Sequence, residues 1–206
     1  MINQESVQSA IQELGLERSI VFEAQNRVVA LVGWRSERNP DGDLLTVQIT
    51  TDREVNLISV QVLGALHAPP DKTDHERLCQ LLQAISYLNY RLAVVKIGYD
   101  PKDGEIRFSV EAPIVAGEQA KGCIQESIKA AIAGVEQYKQ ELRMIQEGEQ
   151  SFREFYEKLQ KFVEESSQEQ EIPEQEHRRI MANIFRRLAD FIEGSAEETE
   201  KTEKAE

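Results

Sequence analysis

Apolar residues recur at three- and four-residue spacing in the middle of the chain, which is the pattern of an amphipathic helix. The apolar stripe consists of Leu78, Leu81, Leu82, Ile85 and Leu88. Thr73 or Asp74 can cap this helix, and Asn89 ends it. Polar and apolar residues then alternate over residues 105–111, which predicts a strand with one face in water. A second long helix opens near Glu118, and its inward positions are Ile124, Ile128, Ala131, Ile132 and Val135.

The same patterns predict the other elements of the domain. Residues 4–14 form an amphipathic helix that ends at Gly15. Short turns separate four predicted strands, which implies an antiparallel meander; the strands are residues 19–23, 27–34, 45–50 and 55–66. A hairpin of residues 92–99 and 105–112 follows the first long helix. The order αββββαββα predicts an α+β fold with helices packed on one side of an antiparallel sheet.

The helical pattern continues beyond this domain. A heptad seam runs from Ile124 to Val163, and only Glu149, directly after Gly148, interrupts its apolar series. Forty residues of helix would be about 60 Å long, whereas the radius of gyration expected for about 140 residues is only about 14 Å. Two arrangements stay open: the helix overhangs and pairs with another chain, or it breaks near Gly148 and folds back.

The end of the chain is polar and acidic. Residues 166–171 are predicted as a loop, and Pro173 suits the first turn of a last helix that could pack on residues 149–163 as a hairpin. We therefore predict three parts: an α+β domain at residues 1–146, a helical extension at residues 147–194 and a disordered acidic tail at residues 195–206.

Net charge excludes two classes of partner. The chain has a net charge of −13, and residues 164–206 contribute −7 of it. A nucleic-acid binder needs a positive surface to replace phosphate counterions, and an anionic membrane does not attract an acidic chain. No stretch approaches 18 continuous apolar residues, and residues 1–5 show no secretory signal, so we expect a soluble, cytoplasmic protein.

Candidate catalytic and metal-binding residues are few. The soft ligands His67, His75, Cys79 and Cys123 show no CxxC or HxxxH spacing, so we expect neither a metal nor a cofactor. Cys79 beside a histidine could act as a nucleophile, but the neighbouring core leucines predict a buried, inert thiol. We interpret both cysteines as small buried residues of a reducing compartment, and we predict that the chain is not an enzyme.

A family resemblance rests on two segments. Residues 81–85 (LLQAI) lead into the hairpin of residues 99–106 (YDPKDGEI), and in the predicted element order they resemble the YbjN family, whose architecture is shared with the secretion chaperones of type III systems. The resemblance covers about residues 1–140. It implies a small, often dimeric, protein-binding or chaperone-like module, and it supplies no active-site residue. The long helical extension departs from the family pattern.

The patterns, together with what the resemblance implies, predict a non-enzymatic protein-binding module, either chaperone-like or an assembly adaptor, that forms a homodimer and binds a protein partner. The predicted docking surface combines a sheet edge or helix groove with a stripe on the extension. Its predicted partner-binding residues are Leu142, Ile145, Phe152, Phe155, Tyr156 and Leu159. The alternative is a structural subunit of a larger complex, with the extension folded back on its own domain.

Overall fold

The computed structural model describes residues 3–16, 18–36, 44–114 and 119–169, with side chains described as far as residue 162. The helices are α1 (Gln4–Glu13), α2 (His75–Arg91), α3 (Gln119–Glu147) and α4 (Phe152–Glu169). The strands are β1 (Ser19–Ala24), β2 (Arg27–Trp34), β3 (Leu45–Asp52), β4 (Leu57–His67), β5 (Val95–Tyr99) and β6 (Glu105–Pro113). The predicted order αββββαββα is confirmed as far as α3.

The strands form one antiparallel sheet in the order β1-β2-β3-β4-β6-β5. The predicted meander of the first four strands is confirmed, and β6 lies beside β4, so that β1 and β5 are the edges. Alternate residues of each central strand are buried on one face only; in β2 these include Val28, Ala30 and Val32. The helices α1, α2 and α3 pack on that face, which confirms the predicted α+β class.

Close packing of α3 on the sheet depends on a glycine. A Cβ added at Gly134 would lie 2.8 Å from Cγ1 of Val95, so the backbone of α3 approaches β5 more closely than a side chain allows. Ile124, Ile128 and Val135 of the same helix are at most 2% exposed. The apolar stripe predicted for this helix is therefore its core face.

The β5–β6 hairpin holds the connection between β4 and α2. Gly104 has φ +79°, and its carbonyl accepts a hydrogen bond from the Ala68 N–H at 2.8 Å. The hydroxyl of Tyr99 donates to the Ala68 carbonyl at 3.1 Å. The turn between β5 and β6, which the sequence predicts, therefore also holds Ala68, the residue that follows β4.

The long helical pattern breaks at Gly148, as one of the two predicted arrangements requires. Gly148 has φ +77°, and its N–H donates to the Ile145 carbonyl at 3.1 Å, while the Glu149 N–H donates to the Met144 carbonyl at 2.8 Å. Such bonds satisfy the last carbonyls of a helix and reverse the chain.

The chain divides into two compact units, residues 1–156 and 157–206. The first unit extends past the predicted domain boundary at residue 146 and includes the first turn of α4. Because α4 continues to Glu169, the loop predicted at residues 166–171 is wrong for its first four positions. The last predicted helix and the predicted tail lie outside the described residues. Where the structure describes the chain, no helix is both long and apolar enough to cross a membrane.

Candidate interaction surfaces

Half of the predicted partner-binding residues are buried. Leu142, Ile145 and Phe155 are at most 1% exposed, because the chain turns back after Gly148 and the first turn of α4 completes the first unit. A side chain with no accessible surface cannot contact a partner while the unit is folded, so we assign no docking role to these three. The heptad pattern predicted a seam through Leu142 and Ile145, and at these two positions the seam is covered from within the chain. Phe155 lies outside that seam.

Phe152 and Tyr156 keep part of their surface. Phe152 is half-buried and Tyr156 is 38% exposed. Both contact Tyr87 of α2 edge to face, with ring centroids 6.4 Å and 5.1 Å from that of Tyr87, and the Phe152 N–H donates to the Gln80 side chain at 3.0 Å. These contacts fix one side of each ring, and the other side of Tyr156 faces solvent. Leu159, the last predicted residue, is half-exposed in the second unit.

A reciprocal cap determines where α4 begins. The Glu154 N–H donates to the Ser151 hydroxyl at 3.2 Å, and the Glu154 carboxylate accepts from both the N–H and the hydroxyl of Ser151 at 2.8 Å. This Ser-x-x-Glu arrangement satisfies two donors at a helix start. The two hydrogen bonds that the Glu154 carboxylate accepts from Ser151 hold its pKa below its usual range.

The prediction that both cysteines are buried is wrong. Cys79 is exposed and Cys123 is half-buried. A helix turns 100° per residue, so position 79 lies about 160° away from the buried position 81, and a helical projection of the sequence would have shown this. The Cys79 thiol lies 3.7 Å from Nε2 of His75, as their spacing of one turn predicts.

Candidate metal ligands do not converge among the described residues. No group of three or more His, Cys, Asp or Glu side chains in that part of the chain could hold a metal ion. Perturbed pKa values tend to cluster at catalytic sites, but here they are dispersed. Burial and the nearby carboxylates of Asp100 and Asp103 raise the pKa of Tyr99, and burial and Glu141 raise that of Tyr138 on α3.

The face of the sheet opposite the helices exposes apolar residues at one end. In the β1–β2 register Ile20 pairs with Leu31 and Phe22 pairs with Val29, so all four lie on this open face. Ile20 is 68% and Phe22 43% exposed. Leu44, which is 55% exposed, lies over Gly33 on the same face, since a Cβ at Gly33 would be 3.6 Å from its Cδ1. We call Ile20, Phe22, Val29, Leu31 and Leu44 the sheet patch.

Uncharged polar side chains continue this surface across β3 and β4. The register pairs Leu31 with Gln48, Val29 with Thr50 and Gly33 with Thr46, and β4 adds Ser59, Gln61 and Leu63. The described charged residues of the open face lie at its margins. The Arg27–Asp52 ion pair, at 2.9 Å, closes one end, and Arg18 lies beside Gly33 and Leu44 at the other. The remaining charged side chains are on the last two strands: Glu105, Arg107 and Glu111 on β6 and Lys96 on β5. In a chain with 30% charged residues, the middle of the open face is therefore unusual, because none of its described residues is charged.

Side chains occupy some of the backbone hydrogen-bonding groups at both sheet edges, and this makes the predicted docking of a partner at an edge less favourable. On β5 the Asn89 amide donates to the Ile97 carbonyl at 2.8 Å and accepts from the Ile97 N–H at 2.7 Å. On β1 the Gln4 amide donates to the Val21 carbonyl at 3.2 Å. An added strand would have to displace these bonds, so the open face is the more accessible surface.

Among the comparisons with known proteins, only the one with solved structures gives matches. No protein-family model matches the chain, and no curated protein matches it. A chain from the structure of the HopA1–SchA chaperone–effector complex is 10% identical with a TM-score of 0.41 and covers 68% of this chain and 99% of its own length. A chain from the ExsC–ExsE complex is 12% identical with a TM-score of 0.38 and covers 68% and 92%.

Membership in the YbjN family stays a prediction, because no family model matches. At identities of 10% and 12%, function has to be argued from the residues of this chain.

Proposed function

We propose that this chain is a non-enzymatic protein-binding module, chaperone-like or an assembly adaptor, and that it works as a homodimer. The observation that supports this best is the open face of the sheet, which combines the exposed sheet patch with an uncharged centre. Contiguous exposed apolar surface on a folded unit is typical of protein–protein contacts, and depletion of charge is typical of the buried centre of an interface.

The occupant we propose for the open face is a second copy of this chain. Two copies that each have a net charge of −13 repel each other over most of their surfaces. Their uncharged faces can meet without that repulsion and without leaving a charge buried and unpaired. Four strands about 4.8 Å apart, paired over six to eight residues, span roughly 19 by 26 Å, which is about 500 Å² in projection. Because side chains make the accessible surface larger than its projection, the face is of the same order as the roughly 800 Å² that each partner contributes to a standard interface.

Charge placed in the sheet patch tests this proposal. The double variant Ile20→Glu/Phe22→Glu should be monomeric at concentrations at which the unmodified chain is dimeric by light scattering, because four carboxylates would face one another in the dimer. The control Val55→Glu/Val94→Glu adds the same charge at apolar residues that are 67% and 57% exposed and that lie outside the patch; it should remain dimeric. A monomeric unmodified chain, or equal dissociation of both variants, would contradict the proposal.

For a second protein, we propose that Phe152 and Tyr156, the exposed part of the predicted stripe in the first unit, form the docking site. Their rings are anchored on Tyr87, and aromatic side chains held on one side and open on the other suit a docking site. If so, Phe152→Ala/Tyr156→Ala should lose the partner while the homodimer persists, because the sheet patch is unchanged.

The alternative, a structural subunit with its extension folded back, is favoured by one observation. The chain does turn back at Gly148, and Phe155 is fully buried in the first unit. A subunit of this kind would be recovered from its native cells in an assembly of fixed stoichiometry, whereas an adaptor would also be recovered free of its partner.

A further inference from the structure

A cleft of about 930 Å³ opens on the helix-covered side of the sheet, between the end of α1, the end of β2 and the middle of α3. Its apolar wall includes Leu14, Leu16, Trp34 and Ile132. The first two and Ile132 are half-buried, and Trp34 is 8% exposed. The volume lies within the range of about 300–1,000 Å³ that is usual for small-molecule sites.

Fixed backbone forms the walls of this cleft. Gly15 has φ +71°, and the N–H groups of Gly15 and Leu16 donate to the Gln12 and Ile11 carbonyls at 2.9 and 3.2 Å. This cap ends α1 and turns Leu14 and Leu16 toward the cleft. The Gly33 N–H donates to the Arg18 carbonyl at 3.0 Å, so Arg18 is held beside the end of β2.

An ion pair fastens α1 to α3 next to the cleft. The Glu13 carboxylate accepts hydrogen bonds from Lys121 and, at 3.1 Å, from Gln125. These bonds lower the pKa of Glu13, with the bond from Lys121 as the larger cause. These bonds thereby join two walls of the cleft.

The charge of the cleft is opposite to that of the chain. Its described lining has three cationic side chains, Arg18, Arg35 and Lys129, and one carboxylate, Glu136. Lys129 pairs with Glu126 at 2.8 Å, but both side chains are more than half exposed, and an exposed pair of this kind contributes little and is easily exchanged. A chain with a net charge of −13 thus has an apolar cleft with a cationic rim.

We propose that this cleft binds a small amphipathic anion that is free in solution, namely a carboxylate or sulfonate attached to an apolar body. The apolar body packs against Leu14, Leu16 and Ile132, and the anionic group lies beside Arg18 and Lys129. The size of the cleft suits a single small molecule. The cleft contains no residue of the sheet patch and neither Phe152 nor Tyr156. Arg18 borders both surfaces, because it also lines a depression with Ile20 and Leu31 of the sheet patch.

Calorimetric titration with dodecanoate, below the concentration at which it forms micelles, tests the proposal on the full chain. We expect saturable binding at one site per chain. Dodecyltrimethylammonium has the same alkyl chain and a cationic head, and it should bind at least about tenfold more weakly, because the rim would repel it. Equal binding of the two would show a non-specific apolar contact and would overturn the proposal.

Three variants locate the site. Ala133→Phe places a ring over the cleft from an exposed position on α3 and should abolish binding. Arg18→Glu/Lys129→Glu reverses the rim charge and should weaken binding about tenfold, since each exposed charge contributes modestly. Lys72→Glu/Lys102→Glu makes the same change in net charge at exposed residues away from the cleft and should bind like the unmodified chain. Circular dichroism melts should show that all three variants are folded.

Other results would overturn the assignment. Dodecanoate binding that persists in Ala133→Phe would place the site elsewhere. Tight binding to phosphatidylglycerol vesicles, lost in the rim variant while free dodecanoate does not bind, would identify a membrane surface as the ligand. By contrast, loss of dimerisation in Ile20→Glu/Phe22→Glu with unchanged dodecanoate binding would support the cleft as a site distinct from the proposed dimer interface.

Discussion

At the scale of single residues, the glycines show where the backbone leaves no room for a side chain. Gly104 is the strongest case, because it has φ +79° and a Cβ there would lie 2.4 Å from the Pro69 nitrogen and 2.5 Å from the Ala68 carbonyl carbon. Backbone atoms cannot swing away as a flexible side chain can. Gly122, on the exposed side of α3, has open space around it.

Gly104→Ala and Gly122→Ala should therefore have opposite effects. The first should lose at least about 2 kcal/mol, from the left-handed backbone and the clash with the β4–α2 connection, and its melting temperature should fall by about 5 °C or more. The second should gain up to about 1 kcal/mol from helix propensity. Thermal melts of both proteins check this, and a Gly104→Ala protein as stable as the unmodified chain would contradict the packing described for the hairpin.

The sequence was informative about some residues and not about others. Asp74 was one of two predicted caps, and its carboxylate does accept from the Glu76 N–H at 3.1 Å. The edge-blocking role of Asn89 was not predicted, because a residue at a helix end gives no sign of the strand that will pass beside it. The bonds from Asn89 to Ile97 depend on where β5 lies, which is a tertiary property.

At the scale of elements, the first turn of α4 is the part of the extension that completes the core. Phe155 is fully buried, while its neighbours Phe152 and Tyr156 keep accessible surface and contact Tyr87 from outside. The capping pair Ser151 and Glu154 fixes the direction of the helix start. The three aromatic residues therefore have different roles, although the sequence places them in one stripe.

Phe155→Ala should destabilise the protein far more than either neighbouring substitution. Loss of a fully buried ring costs about 3–5 kcal/mol, which corresponds to a fall of about 10 °C in melting temperature for a chain of this length. Phe152→Ala and Tyr156→Ala should each cost about 1 kcal/mol, since an aromatic pair contributes about that much beyond its buried area. Similar melts for all three variants would mean that residues 149–156 are not part of the core.

The break at Gly148 could be read only in part from the sequence. A heptad seam needs a cover, but its spacing is the same whether the cover is another chain or the chain itself. Glycine favours a helix end and Glu149 interrupts the apolar series, so the position of the break was predicted. The direction in which the chain continues depends on Gln80 and Tyr87, which lie about 70 residues earlier, and no local pattern records such contacts.

At the scale of the whole molecule, charge and topology together place the proposed interface. The strand order brings β1 to an edge and leaves one face of the sheet uncovered by the described helices, and the charged residues of that face are confined to its margins. The sequence hinted at this face, because residues 28–32 (VVALV) are apolar at every position, and a strand apolar on both sides has two faces to cover. Only the register showed that Ile20 and Phe22 extend the same surface.

The proposed dimer should become tighter as salt is added. Raising NaCl from about 25 mM to about 300 mM shortens the Debye length from roughly 20 Å to about 6 Å, which screens the repulsion between two chains of charge −13. Sedimentation velocity at several concentrations should show a dissociation constant that falls severalfold. A constant that rises with salt would mean that opposite charges hold the dimer together, and the uncharged face would then not be the interface.

The amide of Asn89 has a consequence for how this protein behaves when it is crowded. Because it occupies both hydrogen-bonding groups of Ile97, a neighbouring molecule cannot pair with β5 along its full length without displacing this amide. Growth of chain upon chain toward a cross-β fibril needs such a free edge. One carboxamide, at the middle residue of a five-residue strand, thus interrupts the ladder that polymerisation through β5 would require.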